Sequence, residues 1–180
     1  MNEVAKASAG SFRRLVFNAV VFQVGWFACV LGGTTPWLVF VMGLIAVHLL
    51  FVAEQGEARF LLAVAALGSL MDSLWMQAGW MTFPGWSAQW IPPWLMLLWL
   101  LFATTLRHAL GWLYGRWGWA VLLGGLGGSF SYLAGAELGA AVLPHGRLLT
   151  FVVFALAWAV IFPLLLWLGR HPRLRMPVQP

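Results

Sequence analysis

Two carboxylates inside long apolar segments are the residues of this sequence that most suggest chemistry. A carboxylate in a hydrocarbon environment costs enough free energy to need a reason. Asp72 stands roughly in the middle of its segment and, at helical spacing, on the same face as the small residues Gly68 and Ser69. We therefore expect Asp72 to point into a helix bundle and to act as a catalytic or proton-carrying group. Glu137 stands nearer the end of its segment, where it either reaches the membrane interface or pairs with Arg147.

Imidazole and guanidinium side chains lie near the ends of two apolar segments. His48 stands near the end of one segment, and Arg107 and His108 stand near the end of another. Histidine titrates near neutral pH, which makes His48 and His108 candidate catalytic residues that carry a proton. Arg107 is a candidate anchor for the phosphate or carboxylate of a substrate. Further candidate substrate-binding residues are polar side chains in the same set of segments: Asn18, Gln23, Thr104, Ser131 and Tyr132.

Together these side chains predict one polar pocket, provided that the segments pack as a single bundle. Four residues would line a cavity that opens to the cytoplasm, namely Asn18, His48, Arg107 and His108. Asp72 would lie toward its floor. The alternatives are structural. Each histidine serves equally well as a hydrogen-bonding partner of backbone or lipid, Arg107 as a residue that snorkels to the interface, and Asn18 as an interhelical hydrogen-bond partner.

No motif of a familiar catalytic class occurs in the sequence. It contains no Walker loop, no His-Glu-x-x-His and no nucleophile elbow. The single cysteine, Cys29, excludes a disulfide within the chain, and the four histidines are few and scattered, so we predict no metal site. The sequence leaves open whether the protein uses a cofactor and whether it is an enzyme.

The elements that position these residues are very apolar. Of the 180 residues, 62% are hydrophobic and 8% are charged, whereas about a quarter of an ordinary soluble domain is charged. A helix that spans a membrane needs about 20 apolar residues. Gly, Pro and charged residues separate six apolar stretches: 13–31, 36–53, 59–80, 92–112, 118–142 and 148–168. We predict an all-α fold, a polytopic transmembrane bundle of six spans that forms one domain over residues 1–180.

The distribution of charge predicts the orientation of this bundle. The formal net charge is +5, but the basic residues lie in short segments between apolar runs, so we expect no nucleic-acid partner. With six spans, nine of the ten Lys and Arg residues fall on one side and only Arg147 falls on the other. The positive-inside rule then places the N-terminus and the C-terminus in the cytoplasm.

Two short patterns suggest repeated two-helix hairpins. Pro36-Trp37-Leu38 opens the second span as Pro93-Trp94-Leu95 opens the fourth, and Leu67-Gly68 in the third span matches Leu126-Gly127 in the fifth. Chance similarity among helices rich in Leu and Gly explains the patterns equally well.

Four stretches carry a resemblance to a known family: Asn18-Ala-Val-Val-Phe-Gln23-Val-Gly-Trp26, Met71-Asp72-Ser73, Leu101-Phe-Ala-Thr-Thr-Leu-Arg-His108 and Ser131-Tyr132-Leu-Ala-Gly135. Together they resemble an uncharacterised bacterial family of small six-span inner-membrane proteins, a domain of unknown function, over nearly the whole chain. The resemblance implies a multi-pass protein of the bacterial inner (cytoplasmic) membrane. Because genes of that family tend to neighbour genes for fatty-acid modification, it also implies a connection with lipids.

Three functions are consistent with these observations. The first is binding or modification of a lipidic or hydrophobic substrate through the polar pocket, with membrane lipids as partners. The second is a small proton-coupled transporter in which protonation of Asp72 changes access to a central pathway, and six short spans would then need a homo-oligomer. The third is a scaffold that holds peripheral enzymes at the membrane through its basic surface.

Overall fold

The computed structural model describes the backbone of residues 2–171 and the side chains of residues 12–171. In that part of the chain there are six α-helices and no β-strand: α1 (Asn2–Gly32), α2 (Trp37–Phe51), α3 (Glu57–Gln77), α4 (Pro93–Leu106), α5 (Trp117–Glu137) and α6 (Arg147–Arg170). A 3₁₀ turn, Gly111–Leu113, lies between α4 and α5. The all-α prediction is confirmed, and each of the six predicted segments overlaps one helix.

Four of these helices are long and apolar enough to cross a membrane: α1 from Phe12 onward, α3, α5 and α6. The helices α2 and α4 have 15 and 14 residues, which corresponds to roughly 22 Å, against about 30 Å for a hydrocarbon core. Large apolar side chains on the outer surface are exposed, as Phe51 (80%) and Leu148 (79%) illustrate. An apolar outer surface of this kind suits lipid tails rather than water, so the bundle is of the membrane-associated class.

Helix α4 ends earlier than the predicted limit of residue 112, at Leu106. The Asn18 side chain of α1 accepts a hydrogen bond from the backbone N–H of Ala109 at 3.2 Å and donates to the carbonyl of Thr104 at 3.4 Å. This side chain thus satisfies backbone groups that a continuing helix would pair with its own backbone. The chain therefore turns after Leu106 instead of continuing along the helix axis.

Helices α3 and α5 also end before the predicted limits of residues 80 and 142, and they end in the same way. Gly79 and Gly139 follow them in the left-handed region, at φ of 78° and 81°, a conformation that glycine adopts without steric cost. In the loops beyond, Thr82 and Val142 exchange two backbone hydrogen bonds of 2.9 and 2.8 Å. The last turns of α3 and α5 therefore lie at one end of the bundle, here called the loop end. At the opposite end, α2, α4 and α6 end and α3 and α5 begin. We call it the cluster end, after the cluster of polar side chains described below.

Two tryptophans join the hairpins α3–α4 and α5–α6. A Cβ at Gly68 of α3 would lie 2.0 Å from the indole of Trp99 of α4, and a Cβ at Gly128 of α5 would lie 2.2 Å from the indole of Trp158 of α6. Only glycine permits such close approach of a helix backbone to an indole. The two indole rings stack with their centroids 5.4 Å apart and an interplanar angle of 2°. This stack holds α4 against α6 in the middle of the bundle.

Candidate functional site

Asp72 is fully buried and connects three helices. The indole Nε1 of Trp99 on α4 donates to Asp72 Oδ2 at 2.8 Å, and the hydroxyl of Tyr132 on α5 donates to Asp72 Oδ1 at 2.6 Å. Gly68, one helical turn before Asp72 on α3, leaves the space that Trp99 needs to reach the carboxylate. The exposed fraction of Asp72 is 0%, so it points into the bundle, as its small-residue face predicts.

A cavity of about 820 Å³ lies beside Asp72, bounded mainly by residues of α1, α4, α5 and α6. Its walls consist mostly of aromatic, aliphatic and glycine residues. Five polar residues contribute to the walls: Gln23, Asp72, Ser131, Tyr132 and Glu137. The indole Nε1 of Trp26 donates to Ser131 Oγ at 3.0 Å and so ties α1 to α5 across the wall. A large apolar cavity with a few polar groups is the usual form of a site for a small hydrophobic molecule.

A second group of buried polar side chains lies at the cluster end, and we call His48, Glu57 and His108 the His–Glu–His cluster. His48 Nε2 lies 2.8 Å from Glu57 Oε1, and His108 Nε2 lies 3.0 Å from Oε1 and 3.2 Å from Oε2 of the same carboxylate. The backbone N–H of Glu54 donates to Glu57 Oε2 at 2.8 Å. Each imidazole donates to the carboxylate when its Nε2 carries the ring proton.

The cluster draws one residue from each of three elements. His48 lies in the last turn of α2, Glu57 is the first residue of α3, and His108 follows the end of α4. The turn between α2 and α3 is short, so the end of α2 lies close to the start of α3. The early end of α4 at Leu106 leaves His108 in a turn, from which its ring reaches Glu57.

Glu57 is a residue of this site that sequence reasoning missed. The third span was predicted to begin at residue 59, which left Glu57 outside it as one more charge at a boundary. The available signal was its position nine residues after His48, across a turn too short to separate the two side chains widely. Trp99 was missed as well, because an indole in an apolar helix gives no sign in the sequence of which carboxylate it reaches.

Three predicted substrate-binding residues hold helix ends together instead of facing the cavity. Arg107 Nε donates to the carbonyl of Gly169 near the end of α6 at 2.9 Å, and its guanidinium carbon lies 4.4 Å from the centroid of the Phe60 ring. Asn18 Nδ2 donates to the carbonyl of Thr104 at 3.4 Å. These bonds connect α1 and α6 to the end of α4.

The predicted residues therefore fall into separate places. Gln23, Ser131 and Tyr132 line the cavity with Asp72, and that wall contains none of Asn18, His48, Thr104, Arg107 and His108. The two histidines turn toward Glu57, which lies 15 residues before Asp72 along α3, a separation of roughly 22 Å.

Glu137, the other carboxylate predicted within a span, forms a salt bridge with Arg147 at 2.6 Å near the loop end. The pairing with Arg147 is confirmed. Both side chains are at least half exposed, at 50% and 74%, so the pair is a surface feature.

One protein family matches this chain. The model of the family described as a protein of unknown function (DUF2878) matches residues 15–164. No curated protein and no solved structure matches. The family is described as one of unknown function, so the match indicates no activity for this chain.

Proposed function

The chain belongs to the DUF2878 family, a family of unknown function, and from its cavity we propose that it binds a lipidic or hydrophobic molecule within the membrane. The observation that carries this proposal is the cavity of about 820 Å³, which falls in the range of roughly 300–1,000 Å³ typical of small-molecule sites. Apolar walls favour a hydrocarbon chain. Ser131 and Gln23 give the wall two accessible polar positions that would fix the orientation of a ligand.

The polar groups in the wall indicate what the ligand carries besides its chain. Asp72 is 0% exposed behind its donors Trp99 and Tyr132, so the polar side chains that a ligand can reach are those of Gln23, which is exposed, and Ser131, which is partly exposed. A carboxamide and a hydroxyl both donate and accept hydrogen bonds. We therefore propose an amphipathic molecule with a hydrocarbon chain and one small polar group.

Binding is favoured over chemical modification because of where the predicted proton carriers lie. His48 and His108 are at the cluster end, roughly 22 Å along α3 from Asp72, as is the proposed anion anchor Arg107. The cavity wall extends to Leu110 and Leu113 at that end but includes none of these three side chains, so a ligand in the cavity would not contact them. Catalysis by these residues would need a substrate that enters from the cluster end.

We propose that the cluster end faces the cytoplasm and that the protein is a multi-pass protein of a bacterial inner membrane. Arg59, Arg107, Arg116 and Arg170 lie near helix termini at the cluster end, whereas Arg147 begins α6 at the loop end. This distribution supports the orientation through the positive-inside rule. Three other cations of the prediction lie outside the described side chains: Lys6, Arg173 and Arg175.

Six spans and repeated hairpins belong to the same proposal. They require that α2 and α4 cross the membrane despite their length. For α4 this is supported by its contacts with α1, α2, α3 and α6, since a helix enclosed by others need not match the lipid thickness. A repeat of α3–α4 as α5–α6 is supported by Gly68 under Trp99 and Gly128 under Trp158.

The binding proposal is tested by filling the cavity. Gly135 lies in the cavity wall, and an added Cβ there meets no atom within 4 Å, so Gly135→Leu fills the space without a clash at Cβ. Gly118 is on the same helix, with no atom within 4 Å and no part in this cavity, which makes Gly118→Leu the matched control. The measurement is mass spectrometry of lipids that remain with protein purified in detergent, relative to the lipids of the starting membrane.

We expect a defined lipid class to be enriched with wild type and with Gly118→Leu, and to be reduced at least about tenfold with Gly135→Leu. Equal enrichment in all three proteins would contradict binding in this cavity. In cells that lack the gene, complementation with wild type but not with Asp72→Asn at matched levels should restore the lipid profile. An unchanged lipid profile in the deletion would instead direct attention to a transporter or a scaffold.

A proton-coupled transporter is a second candidate, favoured by one observation. Asp72 joins the two hairpins through Tyr132, so a change in its protonation would alter a contact between them. The proposal includes a homo-oligomer, since a single bundle of this size leaves little room for a separate pathway. Proteoliposomes with a pH-sensitive dye test it: substrate-dependent proton flux that Asp72→Asn abolishes supports transport, and no flux with any lipid-like substrate that the wild type retains argues against it.

A further inference from the structure

The His–Glu–His cluster has the geometry of a set of metal ligands. One ring nitrogen of His48, one ring nitrogen of His108 and a carboxylate oxygen of Glu57 all lie within 4.8 Å of one another. Zinc binds imidazole nitrogen and carboxylate oxygen at about 2.0–2.2 Å, so two ligands at a tetrahedral angle stand roughly 3.3 Å apart. The Nε2 atoms of His48 and His108 stand 2.8 and 3.0 Å from Glu57 Oε1. Small adjustments of the rings would admit an ion between the three side chains.

The surroundings of Glu57 suit such a site. The backbone N–H of Glu54 holds Oε2 at 2.8 Å, which orients the carboxylate and leaves Oε1 toward the two imidazoles, as partners of metal ligands commonly do. The side chains of Glu57 and His48 are 0% and 6% exposed, whereas that of His108 is 18% exposed. Burial limits competition by water, and the partial exposure of His108 provides an access route for an ion.

The ligand set also restricts the kind of metal. Two imidazole nitrogens and one carboxylate oxygen suit Zn²⁺ and other first-row divalent ions, whereas Mg²⁺ and Ca²⁺ prefer oxygen ligands alone. Cys29, the only cysteine, is on α1 and is not part of the group. Three protein ligands leave a coordination position for water or another molecule.

We propose that His48, Glu57 and His108 bind one Zn²⁺ or a similar first-row divalent ion and that this ion ties together α2, α3 and the end of α4. The sequence predicts no metal site, because four histidines scattered over the chain show no ligand spacing and Glu57 stands outside the predicted spans. The site is independent of the lipid proposal, since none of its residues lines the cavity.

The test uses the full chain purified without a histidine tag, stripped with a chelator and dialysed against Zn²⁺. Metal content is measured by mass spectrometry, and ligand type by the absorption of the Co²⁺ form. Glu57→Gln and His108→Gln each remove a ligand. His145→Gln is the matched control, because His145 packs against Trp80 near the loop end with ring centroids 4.5 Å apart.

We expect about one ion per chain in wild type and in His145→Gln, and affinity at least about tenfold weaker in Glu57→Gln and His108→Gln. The melting temperature of wild type should rise with Zn²⁺ and fall again with chelator. No stoichiometric binding by wild type would overturn the proposal, as would binding that the two ligand variants retain.

A further measurement on wild type alone covers the case in which the ligand variants do not fold. X-ray absorption of the zinc form should show two imidazole ligands and no sulfur. Sulfur ligation, or fewer than two imidazoles, would overturn the assignment.

Discussion

The cavity and the His–Glu–His cluster differ in how densely their polar side chains are arranged. In the cluster, three titratable side chains face one another, and Glu57 is fully enclosed by its partners. In the cavity, a few polar groups are spread over a wide apolar wall, and Asp72 is held by groups that stand outside its own helix. The cluster therefore joins helix ends, and both of its imidazoles lie within hydrogen-bond distance of the Glu57 carboxylate. The cavity has volume for a molecule and few polar groups to select it.

The largest loss of stability is expected at the centre of the His–Glu–His cluster. Glu57→Ala leaves both imidazoles and the backbone N–H of Glu54 without their acceptor, so we expect the free energy of unfolding to fall by about 3 kcal/mol. Unfolding of chelator-treated protein by SDS in mild detergent measures it. Glu54→Ala is the control, because the Glu54 side chain is exposed and its N–H remains. A loss no greater than that of the control would mean that the cluster adds nothing to stability.

The second-largest loss of stability is expected where the hairpins α3–α4 and α5–α6 meet. Gly68→Ala places a methyl group 2.0 Å from an atom of the Trp99 ring and forces that indole away from Asp72. Overpacking of this kind costs about 2 kcal/mol. Gly43→Ala is the control, since a Cβ at Gly43 meets no atom within 4 Å. In Gly68→Ala, Zn²⁺ binding should be unchanged while lipid retention falls, which would show that the cluster and the cavity are independent. Equal stability of Gly68→Ala and Gly43→Ala would contradict the close packing of Gly68 against Trp99.

A smaller effect is expected from the hydroxyl that holds Asp72. Tyr132→Phe removes the donor to Oδ1 but keeps the ring against its neighbours, so we expect a loss of about 1 kcal/mol in the free energy of unfolding. Tyr114→Phe is the matched control, because Tyr114 is the only other tyrosine and is 41% exposed. If both variants lose the same stability, the bond to Asp72 is not a significant constraint on the cavity wall.

The sequence was sufficient to predict the helices but not the partners of their polar residues. Apolar runs interrupted by Gly, Pro and charge are local features, and each of the six predicted segments overlaps a helix. The position of Asp72 near the middle of α3 is predictable too, because it follows from counting residues along the helix. Where the predicted ends were wrong, as at Leu106, a side chain from a distant helix supplied the hydrogen bond, and no local pattern reports that.

Membership of a site depends on contacts between helices, which the sequence does not contain. His48 and His108 were candidates because of their chemistry, but Glu57, which brings them together, was counted as a boundary charge. The single predicted pocket grouped residues by approximate depth. In the bundle, the length of α3 separates Asp72 from Glu57 by roughly 22 Å, so residues of similar chemistry belong to two regions.

The smallest effect in stability is expected at the bond between Trp26 and Ser131, which closes the cavity wall between α1 and α5. Interhelical hydrogen bonds in membranes average about 0.6 kcal/mol, so a double-mutant cycle of Trp26→Phe and Ser131→Ala should give a coupling free energy of that order. Lipid retention should change more than stability does, because either variant releases one side of the wall. A coupling near zero with unchanged retention would show that the wall is held by packing alone. A coupling well above 1 kcal/mol would mean that this bond, rather than Asp72, is the main polar constraint on the cavity.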